Sequence, residues 1–188
     1  MNLNQYQKQA ITTKIYADEA ALSYIALGLG GEAIELFEKI KENRDIISSL
    51  GDKDLQLLAK EIGDVMWYLA GLAEETGQNL GEIEFDFSKE LPRDVKLDEV
   101  VDKLIINTGA ILEVFKKAQR DDYQLFIKKE LVADKFMKMN LRIGQLVSIC
   151  NWLADFFGVS LSTILQQNVD KLASRAKRGT LKGSGDER

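Results

Sequence analysis

The chain has 188 residues, 45% hydrophobic and 29% charged, with a net charge of −5 at pH 7, which is an ordinary composition for a globular protein. The single cysteine, Cys150, excludes an intramolecular disulfide, and the absence of histidine excludes Ser-His-Asp and Cys-His catalysis, His-ligated zinc and the Glu-x-x-His ligands of di-iron bundles. The acidic balance argues against nucleic acid as a partner, and no apolar run looks long enough to span a bilayer, so we expect a cytoplasmic protein without a membrane partner.

Apolar residues at helical spacing, together with a single proline, predict an all-α chain built from long helices. The predicted helices span residues 3–14, 18–43, 54–76, 96–119, 121–139, 140–157 and 160–177, with a junction over 79–92 that contains Leu91-Pro92. The end of the chain, GTLKGSGDER, is Gly-rich and polar. We interpret it as a tail that is either mobile or ordered by a ligand.

Two of the predicted helices each carry a pair of carboxylates three residues apart. Glu32 and Glu35 lie in GGEAIELFEKIKE (30–42), and Glu61 and Asp64 lie in AKEIGDVMWYLAGLAEE (59–75). Residues at this spacing share one face of a helix, and here that face adjoins the apolar side. Four carboxylates that converge in a helical core repel one another unless a cation neutralises them. Because hard oxygen ligands suit Mg²⁺ or Mn²⁺, the pattern indicates a metal site for phosphate chemistry.

The second half of the chain reads as a degenerate copy of the first. Aligning Gly31 with Gly109 and Gly63 with Gly144 keeps the packing positions but loses most acidic ones. The alignment pairs Glu32 with Ala110, Glu35 with Glu113, Lys39 with Lys117, Glu61 with Arg142 and Asp64 with Gln145. The alternative is a chance similarity between two amphipathic hairpins.

We therefore expect one all-α domain over residues 1–188, a helical bundle with a pseudo-two-fold arrangement. Its parts would be a metal-binding repeat over 18–83, a degenerate repeat over 96–165 and a basic substrate-binding tail over 166–188. Because the second repeat lacks most of the acids, we expect one catalytic centre per chain.

The sequence resembles a known family in two stretches, GLGGEAIELFEKIK and KEIGDVMWYLAGLAEETG. They are similar to the metal helices of the all-α nucleoside triphosphate pyrophosphohydrolases: the MazG-like enzymes, with relatives among dimeric dUTPases and phosphoribosyl-ATP pyrophosphohydrolases. The ending NVDKLASRAKRGTLKGSGDER resembles the close of many short MazG-like proteins. The resemblance covers roughly residues 1–83 and 160–188, and residues 84–159 look like an insertion.

The resemblance implies Mg²⁺-dependent hydrolysis of a nucleoside triphosphate to a nucleoside monophosphate and pyrophosphate, with Mn²⁺ as an alternative metal. The implied metal ligands are Glu32, Glu35, Glu61 and Asp64. Glu35 would also orient or deprotonate the attacking water. Many relatives carry adjacent acids where Gly31 precedes Glu32, which leaves the number of metal ions open.

The substrate contacts are expected in the last helix and among the aromatic residues. Asn168, Lys171 and Arg175 are candidates for phosphate and sugar, because Lys171 and Arg175 share a helix face and their cations suit phosphate. The base would stack on Trp67 or Tyr68, although a core role for these aromatic rings is an equal alternative.

The sequence leaves the substrate, the oligomeric state and two alternative functions open. The similarity to dimeric dUTPases suggests a preference for dUTP or dCTP and leaves a homodimer as an alternative to a monomer. The chain could instead be a catalytically inactive helical module that binds a nucleotide or a protein. Phosphoribosyl-ATP hydrolysis is a lesser alternative, because that family is usually compact and lacks such an insertion.

Overall fold

The computed structural model describes residues 1–83, 91 and 94–182. Within these ranges the chain forms seven α-helices and no strand. They are α1 (Leu3–Ala10), α2 (Ala21–Glu42), α3 (Asp52–Glu75), α4 (Leu97–Asp121), α5 (Tyr123–Phe126), α6 (Ala133–Phe156) and α7 (Leu161–Lys177). Short 3₁₀ turns cover Ile11–Thr13, Asp18–Ala20, Ile47–Ser49 and Leu80–Glu82. The predicted helix breaker Pro92 and the tail residues 183–188 lie outside the described residues.

The local sequence explains where several helices begin and end. The Asn2 side-chain oxygen accepts a hydrogen bond from the Gln5 backbone N–H (2.8 Å), and the Gln5 side-chain oxygen accepts one from the Asn2 backbone N–H (3.0 Å), which forms a capping box at α1. The Ser160 hydroxyl caps α7. Three helices end at glycines with a φ of 70°, a left-handed conformation that glycine adopts without a steric penalty: Gly77, Gly158 and Gly179.

The four long helices form a bundle of two helical hairpins. Helices α2 and α3 pack as one hairpin, α4 and α6 pack as the other, and the hairpins join where α2 meets α4 and α3 meets α6. Helix α7 packs on α3 and α6, and α1 packs on α3 and α7. The apolar faces of these helices enclose one continuous core. The predicted all-α bundle is confirmed, whereas the internal duplication and the domain limits stay predictions, since any two hairpins in a bundle can pack this way.

The predicted helices over 121–139 and 140–157 are wrong in their boundary. The chain instead forms the short α5, turns at Lys129, and then runs through position 140 as the single helix α6. Lys129 takes a left-handed φ of 63°, and the Glu130 N–H closes the turn on the Leu125 carbonyl at 2.9 Å. Residues 133–143 contain no glycine or proline that would end a helix, and Gly144 lies inside α6, so the helix continues past Asn140.

One segment, Asp18–Glu42, is long and apolar enough to cross a membrane by length and composition alone, with a mean hydropathy of 1.3. The helices Ala133–Phe156 and Leu161–Arg178, bent by 100°, pass the same test only when taken together. The expectation that no apolar run is long enough to span a bilayer is therefore not met when only length and composition are considered. Core helices of globular proteins pass the same test, and 44% of the apolar window of Asp18–Glu42 is buried inside the bundle. The segment is thus weak evidence for a membrane span.

Candidate metal centre

Helices α2 and α3 bring three of the four predicted acidic ligands together. Glu32, Glu61 and Asp64 each offer one carboxylate oxygen, and these oxygens all lie within 4.8 Å of one another. Two oxygens on opposite sides of a Mg²⁺ ion are separated by about 4.2 Å, twice the usual metal–oxygen distance. The spacing of the three carboxylate oxygens is therefore close to that required around one divalent cation.

Two lysines supply positive charge to this carboxylate cluster. The Lys171 ammonium lies 2.7 and 2.6 Å from the two carboxylate oxygens of Asp64. The Lys39 ammonium lies 2.6 Å from Glu61, whose side chain is nearly buried. Sequence reasoning predicted Lys171 as a site residue but overlooked Lys39. The available clue was that Lys39 follows Glu35 by four residues, the spacing of a helical ion pair.

The fourth predicted ligand, Glu35, borders the cluster but is not one of the three residues whose oxygens lie within 4.8 Å of one another. Its carboxylate is 2.9 Å from the Lys39 ammonium, and its side chain is 53% exposed. Glu35 is still close enough for its charge to act on Glu32. Its predicted roles in binding metal and activating water stay predictions.

The charges of the cluster explain why a cation fits there. Burial, and then the negative charges of Asp64, Glu35 and Glu61, raise the pKa of Glu32 to about 7. Burial also raises the pKa of Glu61, although the ammonium of Lys39 opposes this effect. The four carboxylates exceed the two lysines by two negative charges when all are ionised, the charge that one divalent cation cancels.

Helices α7 and α1 pack against α3 and support the cluster through Asp64. The Asn168 side-chain amide donates to Asp64 at 2.9 Å, and the Tyr6 hydroxyl donates to the Asn168 side-chain oxygen at 2.8 Å. A Cβ atom at Gly63 would lie 3.0 Å from the Cβ of Asn168, so glycine lets α7 approach α3 closely. Sequence reasoning missed Tyr6, which is 162 residues from Asn168, and no local pattern could have revealed the contact.

The other predicted contact on α7, Arg175, is buried in the last turn of that helix, one turn beyond Lys171. Its role in binding substrate stays a prediction. Lys171 and Asn168 also line a cavity of about 190 Å³, together with Lys60, Ile164 and Gln167. This cavity adjoins Asp64, because two of its lining residues contact that carboxylate.

The aromatic residues near the cluster have different surroundings. The Trp67 indole N–H donates to the Ala10 carbonyl and the Thr13 hydroxyl, both at 3.1 Å, which agrees with the alternative of a core role. The Tyr68 ring occupies the space over Gly28 and packs edge-on against Trp67, with 4.9 Å between ring centroids. Burial is the main cause of a raised Tyr68 pKa, and the charges of Glu32 and Asp64 contribute. Base stacking on Trp67 stays a prediction.

Comparison with known proteins identifies the family. A family model described as the MazG nucleotide pyrophosphohydrolase domain matches residues 21–105, which include α2, α3 and all four predicted acidic ligands. The chain belongs to the MazG nucleotide pyrophosphohydrolase family. The Gene 37 protein of Mycobacterium phage L5 is 38% identical to it over 82 residues, which cover 40% of this chain and 72% of that protein. No solved structure matches the chain significantly.

The MazG match confirms the resemblance found in the sequence and implies a nucleotide substrate. The matched segment ends within α4, so the first hairpin carries the family features and most of the second hairpin lies beyond them. The acidic cluster of this MazG chain lies entirely inside the matched segment.

Proposed function

We propose that this MazG-family chain is a Mg²⁺-dependent nucleoside triphosphate pyrophosphohydrolase that converts an NTP or dNTP and water to the monophosphate and pyrophosphate. The observation that carries the proposal is the convergence of Glu32, Glu61 and Asp64 within the family-matched segment. Their oxygen donors suit Mg²⁺, with Mn²⁺ as the alternative. A bound divalent cation would neutralise the triphosphate and lower the pKa of a water molecule.

The reaction forms a bond between the water oxygen and the α-phosphorus. It breaks the bond from that phosphorus to the bridging oxygen, so pyrophosphate leaves with the electron pair. We assign to Glu35 the role of orienting the water and accepting its proton, because this carboxylate borders the cluster and is half exposed. Lys39 holds Glu35 and Glu61 in position through its two ion pairs.

The phosphates would lie on the side of the cluster formed by α7. Lys60 and Lys171 line the cavity next to Asp64 and offer two positive charges to the leaving pyrophosphate. Asn168 fixes the orientation of Asp64 through its hydrogen bond. Substrate binding would draw Lys171 from Asp64 to the phosphates, since both compete for the same ammonium.

We place the nucleobase near Tyr24, Trp67 and Tyr68. The Tyr24 ring is partly exposed and lies 6.3 Å from the Tyr68 ring, on the face of α2 and α3 beside Glu32. Flat aromatic surfaces suit stacking by a base. The relation to dimeric dUTPases makes dUTP and dCTP the first substrates to compare.

A second candidate function is nucleotide binding without turnover. Its support is that Lys39 and Lys171 already offset half of the cluster's negative charge, so the carboxylates can remain together without a metal. The two functions differ in one measurable product, because only the enzyme releases pyrophosphate.

The test measures pyrophosphate released from the eight common NTPs and dNTPs and from dUTP, with MgCl₂ or MnCl₂ and with EDTA as a blank. We expect metal-dependent release from at least one substrate. Asp64→Asn should abolish it, because no second complete set of ligands is present in the described part of the chain. The matched control is Asp54→Asn, an exposed position in the first turn of the same helix, which should keep parental activity.

The enzyme proposal is overturned if the folded parent releases no pyrophosphate from any substrate with either metal. Tight nucleotide binding in that case, measured by calorimetry, would favour the binding module. Release that survives Asp64→Asn would show that the carboxylate cluster is not the catalytic centre.

A further inference from the structure

A second cavity lies in the other hairpin, between α4 and the first half of α6. Its volume is about 360 Å³, which is within the range of small-molecule pockets. We call it the α4/α6 cavity. Its charged lining residues are Glu113, Lys117, Asp121, Asp134, Lys135, Lys138 and Arg142. None of these residues contributes to the carboxylate cluster of α2 and α3.

The three lysines of the α4/α6 cavity are each paired with an acid. Lys117 lies 3.2 Å from Glu113, Lys138 lies 3.2 Å from Asp134, and Lys135 lies 2.5 Å from Asp122. These pairs cancel most of the lysine charge inside the cavity. The lysines alone therefore provide little attraction for a ligand of either sign.

Arg142 differs from the lysines because its partners are neutral. One terminal nitrogen of its guanidinium donates to the Asn107 side-chain oxygen at 3.0 Å and to the Gln145 side-chain oxygen at 2.9 Å. Asn107 and Gln145 are both buried, so they hold the guanidinium in one orientation. Within residues 1–83, 91 and 94–182, no carboxylate lies within 4.0 Å of Arg142, and its other nitrogens form no hydrogen bond.

In the alignment of the two predicted repeats, Arg142 takes the place of an acidic residue of the carboxylate cluster. Ala110 and Arg142 of the cavity correspond there to Glu32 and Glu61 of the carboxylate cluster, and Gln145 corresponds to Asp64. The position that would hold a metal ligand thus carries a cation with two amide partners. The positive charge of Arg142 favours an anion that carries no metal ion, whereas the carboxylates of the first hairpin favour a cation.

We propose that the α4/α6 cavity binds a phosphate-bearing small molecule without a metal, through the guanidinium of Arg142. An arginine held in place by one edge can present its remaining N–H groups to two phosphate oxygens. The cavity has room for a phosphate with a substituent as large as a nucleoside. The proposal is independent of whether the carboxylate cluster hydrolyses nucleotides.

The test is isothermal calorimetry on the full chain with inorganic phosphate, pyrophosphate and uridine monophosphate, all in EDTA. Without a metal, the acidic cluster of the first hairpin repels these anions. We expect the parent to bind, and Arg142→Gln to weaken binding by about tenfold or more, the loss of one charge-assisted contact. Tighter binding of uridine monophosphate than of inorganic phosphate would identify a nucleotide as the preferred ligand of the cavity. Equal binding of the two would identify free phosphate as that ligand.

Two further variants distinguish loss of the Arg142 contact from a general loss of charge or of folding. Arg44→Gln removes the same charge from an arginine paired with Asp98 and should bind like the parent. Ala110→Glu adds a carboxylate to the cavity while Arg142 is retained, and it should also weaken binding about tenfold, which covers the case that Arg142→Gln misfolds. Binding that is equal in all these variants, binding lost instead in Lys171→Met, or no binding to the folded parent at millimolar anion would overturn the proposal.

Discussion

Glu32 has an unfavourable electrostatic position in the metal-free protein. It is partly buried beside three other carboxylates, and its folded-state pKa of about 7 lies above the ordinary value of 4.5. Between these values the folded protein holds a proton that the unfolded chain has lost. The free energy of unfolding therefore falls as the pH rises from about 4.5 through 7. The ionised Glu32 thus lowers the stability of the metal-free protein, a cost that is common for residues at functional sites.

We predict that Glu32→Gln stabilises the metal-free protein at pH 8, by about 1–2 kcal/mol after allowance for solvent screening. The gain should shrink toward zero below pH 4.5, where the carboxyl is protonated in both states. Urea denaturation in EDTA at several pH values measures the difference. Glu38→Gln, an exposed change on the same helix, should show no such pH dependence. A variant less stable than the parent at pH 8 would contradict the prediction.

At the scale of helices and their connections, one carboxylate at the end of α3 joins several segments. The nearly buried Glu75 accepts from Lys14 at 2.7 Å and from Tyr16 at 2.8 Å, and it pairs with Lys129 at 2.7 Å. Lys14 and Tyr16 lie between α1 and α2, and Lys129 lies between α5 and α6. Glu75 thereby links the end of the first hairpin to the connection inside the second.

We predict that Glu75→Gln lowers the free energy of unfolding by about 2–3 kcal/mol at pH 7, because charge-assisted bonds are lost at a buried site. Burial alone would raise the Glu75 pKa, but the hydrogen bonds from Lys129, Lys14 and Tyr16 outweigh burial and hold it below 4.5. The contribution is thus fully present above pH 4.5 and is lost as the pH falls through the folded-state pKa.

Urea denaturation of Glu75→Gln and parent from pH 7 to pH 3 tests this prediction. The difference between the two proteins should narrow only at the acidic end. Glu82→Gln, an exposed change in a 3₁₀ turn, serves as the control and should match the parent throughout. A constant difference at every pH would assign the effect to packing instead of charge.

Two helical glycines should differ in their tolerance of alanine. A Cβ at Gly28 would lie 2.0 Å from the Tyr68 ring, whereas a Cβ at Gly71 would meet only the flexible tip of Ile25 at 2.3 Å. We predict that Gly28→Ala destabilises by about 1–3 kcal/mol, since the ring is packed against Trp67 and must move. Gly71→Ala should cost less, because Ile25 can rotate and alanine favours the helix by about 1 kcal/mol.

Thermal denaturation of Gly28→Ala, Gly71→Ala and the parent measures the loss of stability caused by each substitution. Displacement of Tyr68 should also change tyrosine and tryptophan near-UV circular dichroism in Gly28→Ala and leave it unchanged in Gly71→Ala. Equal destabilisation by both substitutions would show that the Tyr68 contact does not decide the outcome.

At the scale of the whole molecule, the hairpin that carries the carboxylate cluster is also half of the bundle core. Helices α2 and α3 pack against α4 and α6 around one continuous core, so a cation that links α2 to α3 stabilises the entire fold. We predict that Mg²⁺ at one hundred times its dissociation constant raises the free energy of unfolding by about 2.7 kcal/mol.

Denaturation with increasing MgCl₂, at an ionic strength held constant with NaCl, measures this stabilisation. Asp64→Asn should lose the Mg²⁺ effect, and Asp54→Asn should keep it. A gain that is the same in Asp64→Asn would mean that Mg²⁺ acts elsewhere on the protein.

The sequence by itself determined the local features of this protein. Helical periodicity predicted the all-α class, and the i, i+3 spacing placed Glu61 and Asp64 on one face of α3, because both depend only on the geometry of a single helix. Two stretches of sequence were also sufficient to find the family. The predicted helix boundary near Asn140 was wrong because the chain turns earlier, at Lys129. Nothing in the sequence indicated that Lys129 would adopt a left-handed conformation.

Only the tertiary structure decided which side chains meet. Packing of α2, α3 and α7 joined Lys39 to Glu61 and Lys171 to Asp64, and the packing of α1 brought Tyr6 to Asn168. These contacts depend on the crossing of helices that are distant in sequence. The spacing of residues within one helix carries no information on that crossing, so the acids were predictable and their cationic and hydrogen-bonding partners mostly were not.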